Sequence, residues 1–390
     1  MNSDFPPDAL NTLPCYTVCM VVAEIGTSHG GSFEKAEKLI DAAVSAGTDA
    51  VKFQWVYADE ILHPDTGFVQ LPGGKIRLYD RFRQLEVPPD FYAHAAEYAR
   101  TNGVQFICSP FGLRSLHELL AIHPDAVKIA SPELNHFPML TALAAFRAQQ
   151  KKNGQSPVPV IVSSGVSKLA DIENALTVLG TENVTLLHCI TSYPAPETEY
   201  NLRLVGTLRN IFGVPCGISD HSLDPVLVPS LAAAMGSVMT EKHITLSKAA
   251  DGLDDPVALE PEQFAQMIHA VDQCDAVLGH YGSGRGTEEI IRQMKNEYGA
   301  GKVDAVLGSG VKTLAPAERA NYGRTNRSLH FMRAMKTGEA IREEDIGVLR
   351  TEKVLTPGIS PEYLETVVGA RLVRDVTGGA GVGWEDFIAK

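Results

Sequence analysis

Residues 184–221 read VTLLHCITSYPAPETEYNLRLVGTLRNIFGVPCGISDH. The stretch begins with a short apolar run, Val184–Cys189, continues into a pattern with helical spacing, Asn201–Ile211, and ends with a second run, Pro215–Ser219. Short runs that are almost continuously apolar are typical of parallel strands covered on both faces, and a helix between two of them completes a βαβ unit. The stretch therefore predicts one repeat of a parallel α/β fold.

The same alternation of apolar runs and helical patterns continues along most of the chain. Eight runs fit strands of this kind: Met20–Ile25, Ala50–Phe53, Gln105–Cys108, Ala126–Ala130, Val158–Ser163, Val184–Cys189, Pro215–Ser219 and Ser237–Lys242. Helical patterns lie between them, beginning with Phe33–Ala46, for which Ser32 is the expected N-cap and Gly47 the stop. Eight βα units over about 265 residues have the number and size of a (β/α)8 TIM barrel, and a doubly wound open sheet is the alternative.

The overall composition excludes several classes of protein. The 390 residues include 34 Lys and Arg against 47 Asp and Glu, a net charge of −13, whereas nucleic-acid binding requires a basic face. No run approaches the roughly 18 apolar residues of a membrane span, and Met1–Leu10 lacks the basic residues of a signal peptide. Six cysteines without a C-x-x-C pair are too few for a disulfide framework. We therefore expect a cytoplasmic protein that binds neither nucleic acid nor membrane.

The predicted domain organisation has four parts. An N-terminal cover segment spans residues 1–18, the barrel 19–281, a linker with one helix 282–325, and a small β-rich domain 326–390. Gly and Pro turns separate short runs in the last part, namely Ser328–Met332, Glu339–Ile341, Ile346–Leu349 and Arg371–Val376. A domain of about 62 residues has a small core, so we expect it to dock on another part of the protein.

Polar side chains cluster where the predicted strands end. In (β/α)8 barrels the catalytic groups lie at these carboxyl ends and in the loops that follow, so the side chains should share one rim. They are Glu24, Lys52, Gln54, Ser109, Lys128, Ser131, Glu133, Ser163, Ser164, His188, Ser219, Asp220, His221, Glu241, Lys242 and His243. Lysines, carboxylates and histidines on one rim favour an anionic substrate together with a divalent metal ion.

Two lysines carry the hypothesis of an anionic substrate. Lys52 and Lys128 lie two strands apart, so both could contact one phosphate or carboxylate, with the neighbouring serines as neutral donors. The alternative is a structural ion pair inside the barrel, with Glu24 or Glu241 as the partner.

Two histidines carry the hypothesis of a metal ion. His221 and His243 end adjacent strands, so their imidazoles could share one cation, and such a site suits Mn, Fe, Co or Zn. His188 is interpreted as a core histidine instead. The sequence contains no phosphate loop, no G-x-G-x-x-G placed after a strand and no nucleophile elbow, so we expect no nucleotide cofactor.

Taken together, the strand-end motifs resemble those of the sialic acid synthase family, over almost the whole chain. Those enzymes condense phosphoenolpyruvate with an N-acyl hexosamine to make a nonulosonic acid. The motifs are Ala23–Ser32, Asp49–Gln54, Ser109–Phe111, Lys128–Glu133, Ser163–Gly165, Leu187–Cys189, Tyr193–Pro196, Gly217–His221 and Glu241–Leu246. The segment from Asn326 resembles the antifreeze-like (SAF) domain that ends these synthases. Gly358–Pro361 and Arg374-Asp375 look most like the branch of spore-coat polysaccharide synthases.

The resemblance implies roles for single residues at the matching positions. The positions that hold phosphoenolpyruvate match Lys52, Ser109, Lys128, Ser131, Ser163 and Ser219, and the same substrate-binding motifs include Phe111, Ser164 and Thr191. The positions that face the sugar match Gln54, Glu133, Tyr193 and Asp254. The residues implied in catalysis are Glu24, Lys52, Lys128, Glu133 and His221.

The resemblance also implies a metal ion and a second subunit. His221 and His243 match the two metal ligands, usually for Mn²⁺ with Mg²⁺ or Co²⁺ as alternatives, and Glu24 matches a carboxylate beside the metal. In the family an arginine of the C-terminal domain reaches the partner's site in a domain-swapped homodimer. That position falls near Arg350, with Arg327 as the second candidate.

The sequence leaves alternative functions open, as well as the role of one long segment. A different phosphoenolpyruvate–aldose synthase, a metal-dependent pyruvate aldolase and a non-catalytic sugar-binding protein of polysaccharide assembly are the alternative functions. The long segment Val56–Leu85 is either a lid over the site or a surface insertion without a role.

Overall fold

The structure is a computed structural model that describes residues 18–71, 74–250 and 252–387. Its strands are β1 Met20–Gly26, β2 Ala50–Trp55, β3 Phe68–Leu71, β4 Gly74–Arg77, β5 Gln105–Pro110, β6 Ala126–Ile129, β7 Val160–Ser163, β8 Val184–Cys189, β9 Cys216–Asp220, β10 Met239–His243, β11 Arg327–Phe331 and β12 Ile346–Arg350. Its α-helices are α1 Phe33–Ala46, α2 Ala58–Ile61, α3 Leu78–Arg83, α4 Pro89–Thr101, α5 Leu113–Ala121, α6 Phe137–Lys152, α7 Leu169–Leu179, α8 Leu204–Phe212, α9 Leu227–Ala234, α10 Pro261–Tyr298, α11 Ala300–Leu307 and α12 Leu364–Val367.

Eight strands close into a parallel barrel. Their order around the barrel is β1-β10-β9-β8-β7-β6-β5-β2, and every neighbouring pair is parallel. Each of the eight predicted apolar runs coincides with one barrel strand, so the predicted (β/α)8 fold is confirmed. The closed order excludes the doubly wound open sheet.

The inside of the barrel changes from apolar to polar along the strands. The deepest cluster of inward side chains is Val22, Ala50, Ile107, Ala126, Ile161, Leu187 and Met239. Because side chains on a strand alternate between faces, the residues two positions later also point inward. Those residues are Glu24, Lys52, Ser109, Lys128, Ser163, Cys189 and Glu241, and Ser219 takes the same position on β9, two residues after Gly217, the pairing partner of Leu187. The fold therefore gathers a ring of polar groups at the carboxyl end of the strands.

Helices cover the outside of the barrel, and α1 illustrates how local sequence sets their ends. The Ser32 side chain accepts a hydrogen bond from the Lys35 backbone N–H, and Gly47 ends the helix with a φ of 98°. Both features were predicted, and a residue without a Cβ adopts that positive φ at low cost. The helix buries Ala36, Leu39, Ile40 and Ala43 against the barrel.

The predicted linker 282–325 contains more helix than expected. Helix α10 runs through Tyr298, with a non-helical backbone at Gly282 (φ 76°, ψ 164°), and α11 follows directly, so the segment has two helices rather than one. The Gly-rich composition suggested a loop, but the glycines allow close packing. A Cβ on Gly286 would lie 3.0 Å from Leu278 Cα, so the two halves of α10 fold against each other there.

The C-terminal domain is built on one antiparallel pair, β11 and β12. Its core includes Leu329, Phe331, Met335, Ile341 and Leu372. The predicted runs Glu339–Ile341 and Arg371–Val376 are not strands, and they form the isolated bridges Ala340–Arg371 and Met335–Val376 in place of a continuous ladder. The prediction failed there because turns interrupt the pairing after one residue.

The segment Val56–Leu85 is folded and packs against the C-terminal domain. It contains α2, the hairpin β3–β4 and α3, and its apolar side chains form a cluster with Phe111. The Val354 N–H donates to the Thr66 carbonyl at 3.2 Å, and Leu62 forms a bridge with Arg350. The segment is therefore part of the interface between the barrel and the C-terminal domain.

Two further expectations concern the whole chain. The predicted cover segment, residues 1–18, lies outside the described residues except for Val18. In the described part of the chain, no helix combines the length and the apolar character needed to cross a membrane.

Candidate active site

A cavity opens at the carboxyl end of the barrel strands. Most of the residues predicted to form a site line it, namely Glu24, Lys52, Gln54, Ser109, Phe111, Lys128, Ser131, Ser163, Thr191, Tyr193, Ser219, His221 and His243. Ala130, Pro132, Cys189 and Glu241 complete the lining. Four predicted residues do not line the cavity: Glu133, Ser164, Asp254 and Arg350.

The floor of the cavity is a network of buried ion pairs. Lys52 Nζ lies 2.8 Å from Glu24 Oε2 and 3.7 Å from Glu241 Oε1, and Lys128 Nζ lies 3.1 Å from the same Glu241 oxygen. The ion pairs weighed as an alternative in the sequence are thus present. They hold both ammonium groups beside one carboxylate, so the two lysines converge as anion binding would require.

The pKa values follow from burial and from these pairs. Burial acts to lower the pKa of Lys52, but the Glu24 and Glu241 carboxylates outweigh it and raise that pKa. Burial lowers the pKa of Lys128 despite Glu241. Burial acts to raise the pKa of Glu241, yet Lys128 and Lys52 bring it down to about 2, so this carboxylate is ionised at neutral pH.

Two hydroxyl groups on the cavity wall lack a hydrogen-bond partner among the described residues. These are Ser163 Oγ and Thr191 Oγ1, both buried. Leaving a buried hydroxyl unpaired costs about 1–3 kcal/mol, so such groups are typical of a site that gains its partners from a ligand. Ser219 Oγ differs, because it donates to Glu241 Oε1 at 2.9 Å.

Two histidines face each other above the ion pairs. The ring centroids of His221 and His243 are 5.6 Å apart, and the Tyr193 ring lies 4.2 Å from that of His221. His221 Nδ1 is 2.8 Å from the Ile190 carbonyl oxygen, which can only accept, so Nδ1 carries a proton and Nε2 is the nitrogen left for a metal ion. Burial acts to lower the pKa of His221, but Cys189 and the Ile190 carbonyl outweigh it and raise that pKa to about 9, so a metal ion would bind Nε2 in place of a proton. Burial lowers the pKa of His243, which favours the neutral form that ligates metals.

These residues fit a divalent metal ion with open coordination positions. In the described ranges, no group of three or more His, Cys, Asp or Glu side chains is arranged to hold a metal. A cation here would have His221 and His243 as its protein ligands and would leave the other positions to water or substrate oxygens. That arrangement is typical of a catalytic rather than a structural metal site.

Carboxylates and an amide surround Gly26 beside the histidines. Gln54 Nε2 donates to Glu24 Oε1 at 2.7 Å, and Asp254 Oδ2 lies 3.9 Å from His243 Nδ1. A Cβ on Gly26, whose φ is 58°, would lie 3.1 Å from Gln54 Nε2 and 3.4 Å from Glu24 Oε1. Asp254 thus sits next to the histidines, although it does not line the cavity.

Glu133 is engaged by two arginines of the C-terminal domain. Its fully buried carboxylate accepts bonds from Arg327 Nε at 3.0 Å and from Arg350 Nη2 at 2.8 and 3.0 Å. Arg327 also donates to the carbonyl oxygens of Phe111 and Val348 and to that of Glu60. Arg327 therefore joins the barrel, the Val56–Leu85 segment and the C-terminal domain.

Comparison with known proteins identifies the family. A model of the NeuB family matches residues 39–282, and a model of the SAF domain matches residues 326–388. The chain belongs to the NeuB family. The NeuB-family resemblance seen in the sequence, including the C-terminal SAF domain, is thereby confirmed.

Relatives of similar length support this membership. The spore coat polysaccharide biosynthesis protein SpsE of Bacillus subtilis is 30% identical over 376 residues, 95% of this chain and 94% of that protein. The N,N'-diacetyllegionaminic acid synthase of Legionella pneumophila is 28% identical over 382 residues, 95% of each chain. The crystal structure of the same SpsE superposes with a TM-score of 0.75 and 28% identity, and covers 95% of this chain and 96% of that one. This NeuB-family chain is therefore similar to nonulosonic acid synthases.

In this NeuB-family chain, both candidate arginines contact the barrel of their own chain. The resemblance implied that one arginine would enter a partner's site, whereas the single chain places Arg327 and Arg350 on its own Glu133. The Arg350 guanidinium lies 5.4 Å from the ring centroid of Phe111, which lines the cavity. Arg350 is thus separated from the cavity by one aromatic ring, and Arg327 lies deeper in the interface.

Two NeuB-family predictions require correction from the geometry. Ser164 follows the inward-facing Ser163, so it points outward, and its buried hydroxyl donates to the Leu187 carbonyl at 3.1 Å. Glu133 is turned from the cavity into the arginine pair, whereas the resemblance placed it facing the sugar. In both cases the motif is present, but the direction of the side chain differs from the prediction.

Glu241 and Cys189 are cavity residues to which the sequence assigned no role in the site. Glu241 was expected at the rim and as an ion-pair partner, and it lies two residues before His243 on the same face of β10. Alternation along each strand was the signal that could have found both residues. His188, interpreted as a core histidine, is indeed buried, with Nε2 2.5 Å from the Tyr200 carbonyl.

Proposed function

We propose that this protein condenses phosphoenolpyruvate with an open-chain N-acyl hexosamine, of the N-acetylmannosamine type, to a nonulosonic acid and phosphate. The observation that carries the proposal is the arrangement of the cavity, with two convergent lysines and an unpartnered Ser163 hydroxyl below two facing histidines. Membership of the NeuB family and a relative named as a legionaminic acid synthase support it.

In the proposed complex the polar ring of the barrel binds phosphoenolpyruvate. Lys52 and Lys128 would contact its phosphate and carboxylate, and Ser109, Ser131, Ser163 and Ser219 would donate hydrogen bonds. When a substrate oxygen replaces Glu24 or Glu241 as the partner of a lysine, the positive charge of that lysine remains paired with a negative charge. Their role is to position the anion and to stabilise the charge that develops as phosphate leaves.

The sugar would lie above this ring, next to the histidines. A divalent cation held by His221 and His243, for which we propose Mn²⁺, would act there as a Lewis acid that polarises the sugar aldehyde. C3 of phosphoenolpyruvate then attacks the aldehyde carbon, water adds to C2, and the tetrahedral intermediate loses phosphate by C–O cleavage. Glu24, which lies between Gln54 and Lys52, is the proposed acceptor of the proton from that water.

A phosphate-release assay with a panel of aldoses tests the proposal. Phosphoenolpyruvate is offered with N-acetylmannosamine, its 6-phosphate, a 2,4-diacetamido-trideoxyhexose and aldoses without an N-acyl group, such as mannose, each with and without Mn²⁺. Pyruvate replaces phosphoenolpyruvate in a parallel series. Metal-dependent phosphate release with an N-acyl hexosamine is expected. Phosphate release only with aldoses that lack an N-acyl group would indicate another aldose synthase. Turnover of pyruvate without release of phosphate would indicate an aldolase. Sugar binding without any turnover would indicate a sugar-binding protein.

We also propose that the protein is a cytoplasmic homodimer in which the C-terminal domains are exchanged. The contacts of Arg327 and Arg350 with Glu133 would be the same whichever chain supplies the domain. The variants Glu133→Gln and Arg350→Ala test this. Each alone is expected to lose most activity because it breaks the ion pair between the C-terminal domain and the barrel, and exchange in a mixture would restore one intact pair per dimer. Absence of any restored activity after refolding the mixture would argue for domains that stay on their own barrel.

A further inference from the structure

Glu318, in the segment predicted as a linker, is buried against the loops that follow two barrel strands. Its side chain is almost fully buried, with a residue exposure of 1%. Oε2 accepts hydrogen bonds from the Val166 N–H at 2.9 Å and from the Thr191 N–H at 3.0 Å. One carboxylate oxygen thus holds the loop after β7 and the loop after β8 at the same point.

The loop after β7 is held from its other side as well. The Val166 carbonyl accepts a bond from Asn326 Nδ2 at 3.1 Å, at the residue where the C-terminal domain begins. Val166 has a φ of 42°, a conformation that a β-branched residue adopts only when surrounding contacts impose it. Lys312 adds a third contact, since its Nζ donates to the Ser164 carbonyl at 3.1 Å.

The loop after β7 touches both the loop after β8 and the turn after β6 at the cavity wall. The Gly165 N–H donates to Ser131 Oγ of that turn at 2.9 Å. A Cβ on Gly165 would lie 2.2 Å from Thr191 Oγ1 and 2.8 Å from Ser131 Oγ, so only glycine fits between them. Because Ser131 and Thr191 line the cavity, a shift of either loop would move groups that face the ligand.

We infer that Glu318 is a positioning residue for the synthase reaction. Glu318 holds the cavity wall that contains Ser163 and Thr191 from the side that faces away from the cavity. Asn326 bonds to the same residue, Val166, and so connects this wall to the docked C-terminal domain. Glu318 contacts neither substrate nor metal in this assignment. The inference rests on the proposed function, because that function defines the reaction for which the two loops are held in position.

Two variants at Glu318 separate positioning from bulk stability. Glu318→Ala removes both bonds to the loops, and kcat/KM for the aldose is expected to fall about 10- to 100-fold, the range that a small displacement of reacting groups costs. Glu318→Gln keeps one carbonyl oxygen that can accept both N–H groups, so it is expected to retain activity within about fivefold of the unaltered protein. In Glu318→Ala, kcat/KM for phosphoenolpyruvate should fall together with that for the aldose, because Ser131 and Ser163 of the held wall are groups proposed to bind phosphoenolpyruvate, and Glu318→Gln should keep both values near those of the unaltered protein.

Glu199 provides a matched control. It lies in the turn Glu197–Glu199, later in the loop after β8, and its carboxylate accepts a hydrogen bond from the Ala317 N–H of the linker at 2.9 Å, whereas the Val166 and Thr191 N–H groups donate to Glu318 and not to Glu199. Glu199→Ala should therefore leave kcat/KM near that of the unaltered protein when all variants are assayed well below their melting temperatures. An equal loss of activity in Glu199→Ala and Glu318→Ala would overturn the inference.

Amide hydrogen exchange measures the held loops without any assay of activity. In Glu318→Ala, exchange should rise in residues 165–167 and 190–193 and stay unchanged in α1. A uniform rise, or no rise in these loops, would overturn the assignment even if the protein proved to have a different activity. Failure of the proposed function alone would show as no phosphate release by the unaltered protein with any aldose, with the local exchange pattern intact.

Discussion

At the scale of single residues, the floor of the cavity is a balanced set of buried charges. Lys52 and Lys128 face Glu24 and Glu241, and the four side chains are almost inaccessible to solvent. Burying one charge without its partner costs several kcal/mol, so each member of the set depends on the others. A ligand anion can bind here only by replacing a carboxylate as the ion-pair partner of a lysine. Substitution of a lysine therefore tests anion binding.

The variant Lys128→Met tests the anion-binding role. We expect kcat/KM for phosphoenolpyruvate to fall at least about 100-fold, because one of the two positive charges that stabilise the departing phosphate is lost. Stability should fall by about 3 kcal/mol, because Glu241 loses its closest cation. Phosphate release and urea unfolding measure the two effects separately.

Lys242→Met is the matched control for this variant. Lys242 is equally buried and lies 2.5 Å from Asp220, but the pair points outward between the barrel and its helices. We expect Lys242→Met to lower stability. Its kcat, measured below the melting transition, should stay near that of the unaltered protein. If Lys242→Met abolished turnover to the same extent as Lys128→Met, the activity loss would reflect general disruption of the barrel.

The variant His221→Ala tests the metal site. We expect the affinity for Mn²⁺, measured by titration calorimetry, to fall sharply and metal-dependent turnover to reach background, because one of two protein ligands is removed. Circular dichroism should show the fold intact. Removal of metal from the unaltered protein by a chelator should abolish turnover, and added Mn²⁺ should restore it.

His188→Gln serves as the control for that variant, since His188 is buried outside the cavity. It should keep its Mn²⁺ affinity. Normal turnover of His221→Ala with excess metal would refute the assignment of His221 as a ligand.

The sequence determines which residues lie at the rim of the barrel but not every direction in which their side chains point. Ser163 and Ser164 are adjacent and chemically identical, and only the register of β7 sends the first into the cavity and the second to the Leu187 carbonyl. Glu241 was expected at the rim and as an ion-pair partner but not as a cavity residue, although its spacing from His243 places it on the inner face. A shift of one residue along a strand reverses the face, so small errors of register change the site completely.

At the scale of elements, the interface between the Val56–Leu85 segment and the C-terminal domain is the part that the sequence left most open. The close approach of Gly67 to Val354 defines one edge of it. A Cβ on Gly67 would lie 3.1–3.2 Å from the Val354 and Lys353 side chains, and Gly67 has a φ of 110°. The segment is thus a docking surface for the domain that carries Arg350.

Gly67→Ala tests what this docking does. The added methyl group should loosen the C-terminal domain, so we expect faster proteolysis within residues 312–326 and a rise of about fivefold or more in KM for the aldose. The KM for phosphoenolpyruvate should be unchanged, because its binding groups lie on the barrel.

Gly103→Ala is the matched control for the docking variant. It carries a similar backbone strain, with a φ of 81°, but a Cβ there meets nothing within 4 Å. It should lower stability by about 1 kcal/mol without affecting either KM. Equal effects of the two substitutions would mean that backbone strain, and not docking, controls the affinity for the aldose.

At the scale of the whole molecule, stability is expected to depend on pH through buried histidines. Burial lowers the pKa of His29 to about 4 and that of His188 to about 3, and it lowers the pKa of His136 well below its usual range. In the unfolded chain these groups titrate near the ordinary histidine value of about 6.5. The unfolded state therefore binds more protons below that pH, and the native state loses stability as the pH falls.

We expect the free energy of unfolding to decrease as the pH falls from 6.5 to 5. Each histidine contributes up to about 1.4 kcal/mol per pH unit in that window. Urea unfolding at several pH values measures the slope, and His188→Gln should reduce it by the share of one histidine. A stability that is flat or that rises on acidification would contradict the neutral, buried state of these side chains.

The sequence by itself determined the barrel and the residues around its rim. Eight apolar runs, their spacing and the polar residues at their ends are local patterns, and strand geometry converts them directly into a closed sheet with a polar carboxyl end. Only the tertiary structure decided that Arg327 and Arg350 occupy Glu133, that Glu318 holds two loops of the cavity, and that the Val56–Leu85 segment docks on the C-terminal domain. Arg327 and Glu133 are 194 positions apart in the chain. Such contacts leave no periodic signal in the sequence, because they depend on how complete elements pack and not on the conformation of any one segment.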